Sequence, residues 1–259
     1  MSLENEEISN WENFDLDTSL LRGIYSYGFE NPSPIQQKAI KPILDGKDVI
    51  AQSQSGTGKT GCFVVASLQK IDLSLQDTQI VIMAPTRELS LQIKRVITEI
   101  GSYMKDLKTY LLIGGQSTDY DINNFKYETP HLIVGCPGRI HEMIRRKHVN
   151  TKNIKLIVLD EADEMLSQGF KEQVYNIFQF LPTNIQVSLF SATLPTQLYN
   201  LTDKLKLSQL VHDLGLKASG LSIAKTAGQA GIFCPDFMIT GHGQAFCSRD
   251  RNVSKYKSW

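Results

Sequence analysis

Ser53-Gln54-Ser55-Gly56-Thr57-Gly58-Lys59-Thr60 is the first stretch whose residue types could do chemistry. Glycines let a backbone wrap closely around a phosphate, and successive N–H groups at the positive end of a helix attract it. Lys59 is placed to reach terminal phosphates, and the Thr60 hydroxyl to ligate Mg2+. The usual loop of this kind begins with Gly, whereas position 53 is Ser. The plainer alternative is a glycine-rich turn that caps a helix. A nucleotide site also needs an acid for its metal, and Lys155-Leu156-Ile157-Val158-Leu159-Asp160-Glu161 is an apolar run ending in two carboxylates. Asp160 would hold Mg2+ largely through water, because magnesium sheds its hydration reluctantly. Glu161 would orient and deprotonate an attacking water. Standing alone, the pair could equally be two idle acids at a helix N-terminus.

Both motifs need a scaffold that brings them together, and the chain's patterning supplies one. Short apolar runs at Asp48–Gln52, Gln79–Ala84, Thr109–Ile113, His131–Gly135, Lys155–Asp160 and Gln186–Phe190 read as strands. Helix-like stretches at Lys59–Lys70, Arg87–Ser102, Arg139–Arg146, Phe170–Leu181 and Pro195–Leu205 separate or follow them. Alternation of this kind, with strands apolar along their length, predicts an α/β fold with a parallel sheet covered on both faces. Ligands of such sheets sit at the carboxyl ends of the strands, which is where both motifs fall. Ahead of the first strand, Trp11 to Leu44 reads as two helices joined by a turn containing Gly28, Pro32 and Pro34.

Composition sets the outer limits. With 41% hydrophobic and 21% charged residues the chain can build a substantial core. Lys+Arg and Asp+Glu are equal at 27 each, so overall charge does not mark a nucleic-acid binder. The first 17 residues carry six acids and no base, which reads as a solvated leader. Four dispersed cysteines without a CxxC pair argue against a disulfide framework and for a reducing compartment. No apolar run is long enough to span a bilayer, so no membrane association is expected. After about Lys206 the alternation fades, and Gly215 to Trp259 has six glycines and no long helical period. This tail is expected to be poorly ordered or loosely attached.

Asp160-Glu161-Ala162-Asp163 is the DEAD signature, and its companions follow in the family's order. Gly28-Phe29-Glu30-Asn31-Pro32-Ser33-Pro34-Ile35-Gln36 resembles the Q motif. Pro85-Thr86-Arg87-Glu88-Leu89 resembles motif Ia, Gly114-Gly115 the GG element, Pro137-Gly138-Arg139 motif Ib and Ser191-Ala192-Thr193 motif III. From Trp11 to Leu205 the chain therefore resembles the DEAD-box ATP-dependent RNA helicases, in wording those of the initiation-factor-4A type. The resemblance implies a RecA-like P-loop domain over residues 11–206, after an acidic leader at 1–10 and before an atypical tail at 207–259. It implies ATP and Mg2+ as cofactors and RNA, bound through its backbone without sequence preference, as partner. Translation initiation scaffold proteins are implied as further partners, for a monomer of the cytoplasm, with the nucleus as the alternative.

The resemblance also assigns roles. Gln36 would read adenine through its amide, Phe29 would pack near the base, and Trp11, 17 residues before Gly28, would stack on it. Pro85, Thr86, Arg87, Gly114, Gly115, Pro137, Gly138 and Arg139 would line the RNA path. Ser191 and Thr193 would couple the phosphate state to RNA by hydrogen bonding to Asp163. Simple packing for Trp11, structural ion pairs for Arg87 and Arg139, and a polar turn for Ser191 and Thr193 are the plainer alternatives. Motif Ib normally reads TPGR; Cys136 in the Thr position removes one hydroxyl. The arginine-rich HRxGRxxR motif of the family's second domain occurs nowhere in the chain. The chain by itself is accordingly expected to bind ATP weakly and hydrolyse it very slowly. A non-catalytic half-domain that competes for RNA or a partner is the alternative.

Overall fold

The computed structural model describes residues 10–167, 169–193, 232–234, 237–239 and 245–247. Six strands form its parallel centre: β1 (Val49–Gln52), β2 (Ile80–Met83), β3 (Thr109–Leu112), β4 (Leu132–Gly135), β5 (Leu156–Leu159) and β6 (Gln186–Ser191). Each falls within a residue or two of the apolar run that predicted it. Strand order is β3-β4-β2-β5-β6-β1, all neighbours parallel.

Side chains alternate across a strand, and here both sides are buried. Ile80, Ile82, Leu156 and Val158 point into one apolar cluster with α1 (Thr18–Ser26), α2 (Pro34–Leu44), α3 (Lys59–Gln69) and α4 (Arg87–Ile100). Val81, Met83, Ile157 and Leu159 point into the other, with α6 (Pro137–Arg145), α7 (Ala162–Ser167) and α8 (Lys171–Phe178). The α/β fold with helices on both faces follows from that double burial. Among the described residues no helix is long and apolar enough to cross a membrane.

One helix had no apolar signal. α5 (Thr118–Tyr127, TDYDINNFKY) forms because the Ser117 side chain caps it through Asp119 N–H and two acids sit in its first turn. α6 begins two residues before the expected Arg139, since Pro137 suits the first helical position. The expected helix at Pro195–Leu205 and the acidic leader lie outside the described residues, as does most of the tail. Three short strands of the tail are described: β7 (Ile232–Cys234), β8 (Phe237–Ile239) and β9 (Ala245–Cys247). β7 pairs antiparallel with β1, and β8 and β9 continue outward as a meander.

Gly23 shows how tightly α1 is seated. A Cβ at this position would sit inside the Ile100 carbonyl at the end of α4. Alanine normally favours a helix over glycine, but here Gly23→Ala should lower stability by about 1–3 kcal/mol through overpacking. Urea unfolding with an unchanged slope and an earlier midpoint is the expected result. A gain in stability would show that the two helices do not meet this way.

Candidate active site

The Q motif runs from the turn after α1 into α2; every other motif lies where a parallel strand ends, and the strand order sorts them. β5, β6 and β1 are neighbours, so Asp160–Asp163, Ser191–Thr193 and the phosphate loop share one half of the sheet edge. β3, β4 and β2 are neighbours, so Gly114–Gly115, Cys136–Arg139 and Pro85–Arg87 share the other half.

In the first half, Gly56 and Gly58 take positive φ (80° and 101°), the conformation the turn into α3 requires. Gly58 is constrained twice over, since a Cβ would also lie 2.6 Å from Ser33 Oγ and 2.9 Å from Gln36 Nε2. The loop is closed on itself. The buried Lys59 ammonium donates to Ser53 O (2.6 Å), Thr57 Oγ1 donates to Gln54 O (2.8 Å), and the Ser53 and Thr57 hydroxyls bond to each other.

Gln36 is tied to this loop. Its Nε2 donates to Gly58 O (3.1 Å), and its Oε1 accepts the Ser33 N–H (2.7 Å) in a capping box at the start of α2. An amide offers two donors and two lone pairs, so one of each remains for a base. Phe29 is half-buried, and a Cβ at Gly61 would meet its ring 2.7 Å away, which places it directly on α3. Trp11 differs from its expected place on a base. It is fully buried and lies parallel to Phe29 with ring centroids 6.0 Å apart, so its faces are spent on packing and it supports Phe29 from behind. The Q motif's Ser33, absent from the expected site residues, also lies beside Gly58, close enough that a Cβ there would clash with its hydroxyl.

The carboxylates stand in the same half. Burial pushes Asp160 up to about 7, the Glu161 charge pushes in the same direction, and Lys59 draws it back. Glu161 is also raised, by burial first and then by Glu164. Its backbone takes φ 50°, unusual for a non-glycine residue, with its N–H bonded to Asp160 Oδ1 (3.0 Å). Asp160 is buried at the end of β5, and Thr60 is half-buried in the first turn of α3. Among the described residues no three His, Cys, Asp or Glu side chains are placed to hold a metal ion by themselves; Mg2+ bound mainly through water and phosphate does not need them.

Thr193 donates twice to Asp163 Oδ2, from its N–H (3.0 Å) and its hydroxyl (2.5 Å), and the Ser191 hydroxyl donates to Thr193 O (2.6 Å). Burial tends to raise Asp163, but its hydrogen bonds, those from the Thr193 hydroxyl and N–H among them, outweigh it and hold the carboxyl below its ordinary value. These contacts join the end of β6 to α7.

The second half is more occupied than its motifs suggested. Arg87 stays exposed, its guanidinium resting on Gly114 and Gly115, where a Cβ at either would crowd it. Thr86 spends its hydroxyl capping α4 through the Leu89 N–H (3.1 Å). Arg139 departs from its expected role as a phosphate ligand. It is paired with Asp121, donates to Gln116 O (2.7 Å) and lies 3.6 Å from Glu142, with only 9% of its side chain exposed. The plainer alternative of an ion pair holds for it. Asp121 is buried, also accepts from Tyr110 OH (3.0 Å), and braces α5 against α6. Nothing in the sequence singled it out, because its helix carries no apolar period. Cys136, in the Thr position of motif Ib, lies 3.7 Å from Ser90 Oγ.

Comparisons with known proteins agree with this geometry. Residues 33–201 match the DEAD/DEAH box helicase family. ATP-dependent RNA helicase eIF4A of Aspergillus niger is 52% identical over 200 residues, covering 77% of this chain and 50% of that protein. ATP-dependent RNA helicase fal1 of Schizosaccharomyces pombe is 42% identical over 257 residues, covering 95% and 64%. Among solved structures, a DEAD box protein from Methanococcus jannaschii superposes with a TM-score of 0.71 at 34% identity, covering 76% of this chain and 53% of that one. Saccharomyces cerevisiae Dbp5 bound to RNA and ADP BeF3 gives 0.68 at 34% identity, covering 76% and 49%. The chain thus spans about half to two thirds of the length of its relatives. With these motifs at one edge of a parallel sheet and the family match running over residues 33–201, the chain belongs to the DEAD/DEAH box helicase family.

Proposed function

We propose that this chain is the ATP- and RNA-binding domain of an ATP-dependent RNA helicase of the initiation-factor-4A type, working in cytoplasmic translation initiation with RNA and initiation scaffold proteins as partners. The observation that carries the reading is that the glycine-shaped loop holding Lys59 and the Asp160–Glu161 pair follow β1 and β5, which flank β6 in one half of the sheet edge. Asp160 and Thr60 are the residues to hold Mg2+, which when bound neutralises phosphate charge. Lys59 would exchange the Ser53 carbonyl for a phosphate oxygen, and Glu161 would take the proton of an attacking water. Burial raises its pKa, which makes the carboxylate a stronger base than a solvated one. Asp163, Thr193 and Ser191 join the end of β6 to α7 and would relay the state of the phosphates to the RNA face, where Arg87 would meet the RNA backbone.

Lys59→Ala tests the reading. Loss of a charge-assisted contact should weaken binding of Mg2+ and a fluorescent ATP analogue by at least about tenfold. Equal binding by the wild-type chain and the variant would remove the nucleotide site from this edge.

A further inference from the structure

The phosphate loop carries a bond network that its usual residue types would not make. Ser53 occupies a position where the sequence departs from the P-loop pattern, and it is 4% exposed. Thr57 has one hydroxyl proton, which goes to Gln54 O. In the Ser53–Thr57 bond Ser53 must therefore donate, giving a directed chain from Ser53 Oγ through Thr57 Oγ1 to Gln54 O. The same Ser53 accepts the Lys59 ammonium on its carbonyl (2.6 Å), and its own N–H is anchored to Ser191 O (3.1 Å) at the end of β6. One residue, fixed by the sheet, thus holds the loop from two sides: through Thr57 at its crown and through Lys59 at its exit. Gln36, donating to Gly58 O, adds a third hold.

We infer that Ser53 is a positioning residue that latches the phosphate loop shut, lowering the apparent affinity for adenine nucleotide. The inference rests on the nucleotide reading above and adds to it a named control element. A triphosphate needs Lys59 and the loop's N–H groups, so the hydroxyl chain must open before binding. The apparent dissociation constant is the intrinsic one divided by the fraction of open loop, so removing a latch bond tightens binding without adding any contact to the ligand. The gain resides in association, because the open complex is the same in both proteins.

Stopped-flow fluorescence with mant-ATP and Mg2+ on the full chain tests this. Ser53→Ala should bind about fivefold more tightly, the worth of one neutral hydrogen bond. The change should fall in the association rate, with dissociation unaltered. Thr57→Ser, which keeps the hydroxyl, should match wild type. Thr57→Val should shift in the same direction as Ser53→Ala, and the double variant should gain no more than Thr57→Val, since both act on one bond. Equal or weaker binding by Ser53→Ala, with wild type binding normally, overturns the latch alone; weaker binding would mean that the hydroxyl serves the ligand. If neither wild type nor Lys59→Ala shows a saturable signal, the nucleotide reading falls and takes the latch with it.

Discussion

ATP turnover by this chain should rise by about 10³-fold or more when a separate second helicase domain bearing the arginine-rich motif is added with single-stranded RNA, and Glu161→Gln should abolish the gain. Phosphoryl transfer offers little covalent chemistry to a protein; rate comes from placing positive charge where negative charge develops. The edge described here holds one such charge, Lys59, already bonded to Ser53 O. No HRxGRxxR string exists in the 259 residues to supply another. Closure by a second domain would also exclude water from the site. Glu161→Gln keeps the size and removes the base, so turnover should fall by about 10²–10⁴ while nucleotide binding persists. Phosphate release by each component alone and by the mixture is the measurement. Turnover that does not respond to the added domain would place the missing catalytic charge within this chain. A full rate in the Glu161→Gln mixture would deny that residue its role.

The second large effect concerns stability. Asp121→Ala should destabilise the domain by about 1.5–3 kcal/mol, because it removes the most buried partner of the Arg139 guanidinium and leaves it only Gln116 O and the partly exposed Glu142. Both side chains are enclosed, 2% exposed for Asp121 and 9% for Arg139, so solvent screening offers little relief. Arg139→Ala should be costly too, leaving the Asp121 carboxylate with Tyr110 OH alone among its described side-chain partners. The double variant should cost less than the two singles added together, since neither charge is then left behind. Urea unfolding of the three variants gives the cycle. Salt titration of RNA binding then separates structure from contact. Arg87→Ala should reduce the logarithmic salt slope by about 0.7, one phosphate's worth on a single strand, whereas Arg139→Ala should leave it unchanged. A reduced slope for Arg139→Ala with unaltered stability would restore its place in the RNA path.

Several features were readable before any coordinates because they depend on local chemistry. Strands buried on both faces must be apolar throughout, so β2, β4 and β5 announced themselves as runs such as IVIM, LIVG and LIVL. A phosphate loop needs glycines where φ is positive, and Gly56 and Gly58 stand there. The carboxyl-end rule then put the motifs on one edge. α5 was hard to read because Ile122 and Phe125 are the only apolar side chains of this capped, acid-started helix that pack inward, too few to set a period.

Residue types and spacing by themselves thus determined the α/β layering, the phosphate loop and the acidic pair, since each is written into hydrophobic period or backbone freedom. Only the tertiary structure decided who bonds to whom. Strand order split the edge into two halves, a buried acid 18 residues upstream claimed Arg139, packing on Phe29 turned Trp11 inward, and Ser53 closed the loop over Lys59. A side chain's type states what it can bind. Which partner it takes depends on what the fold brings within about 3 Å of it.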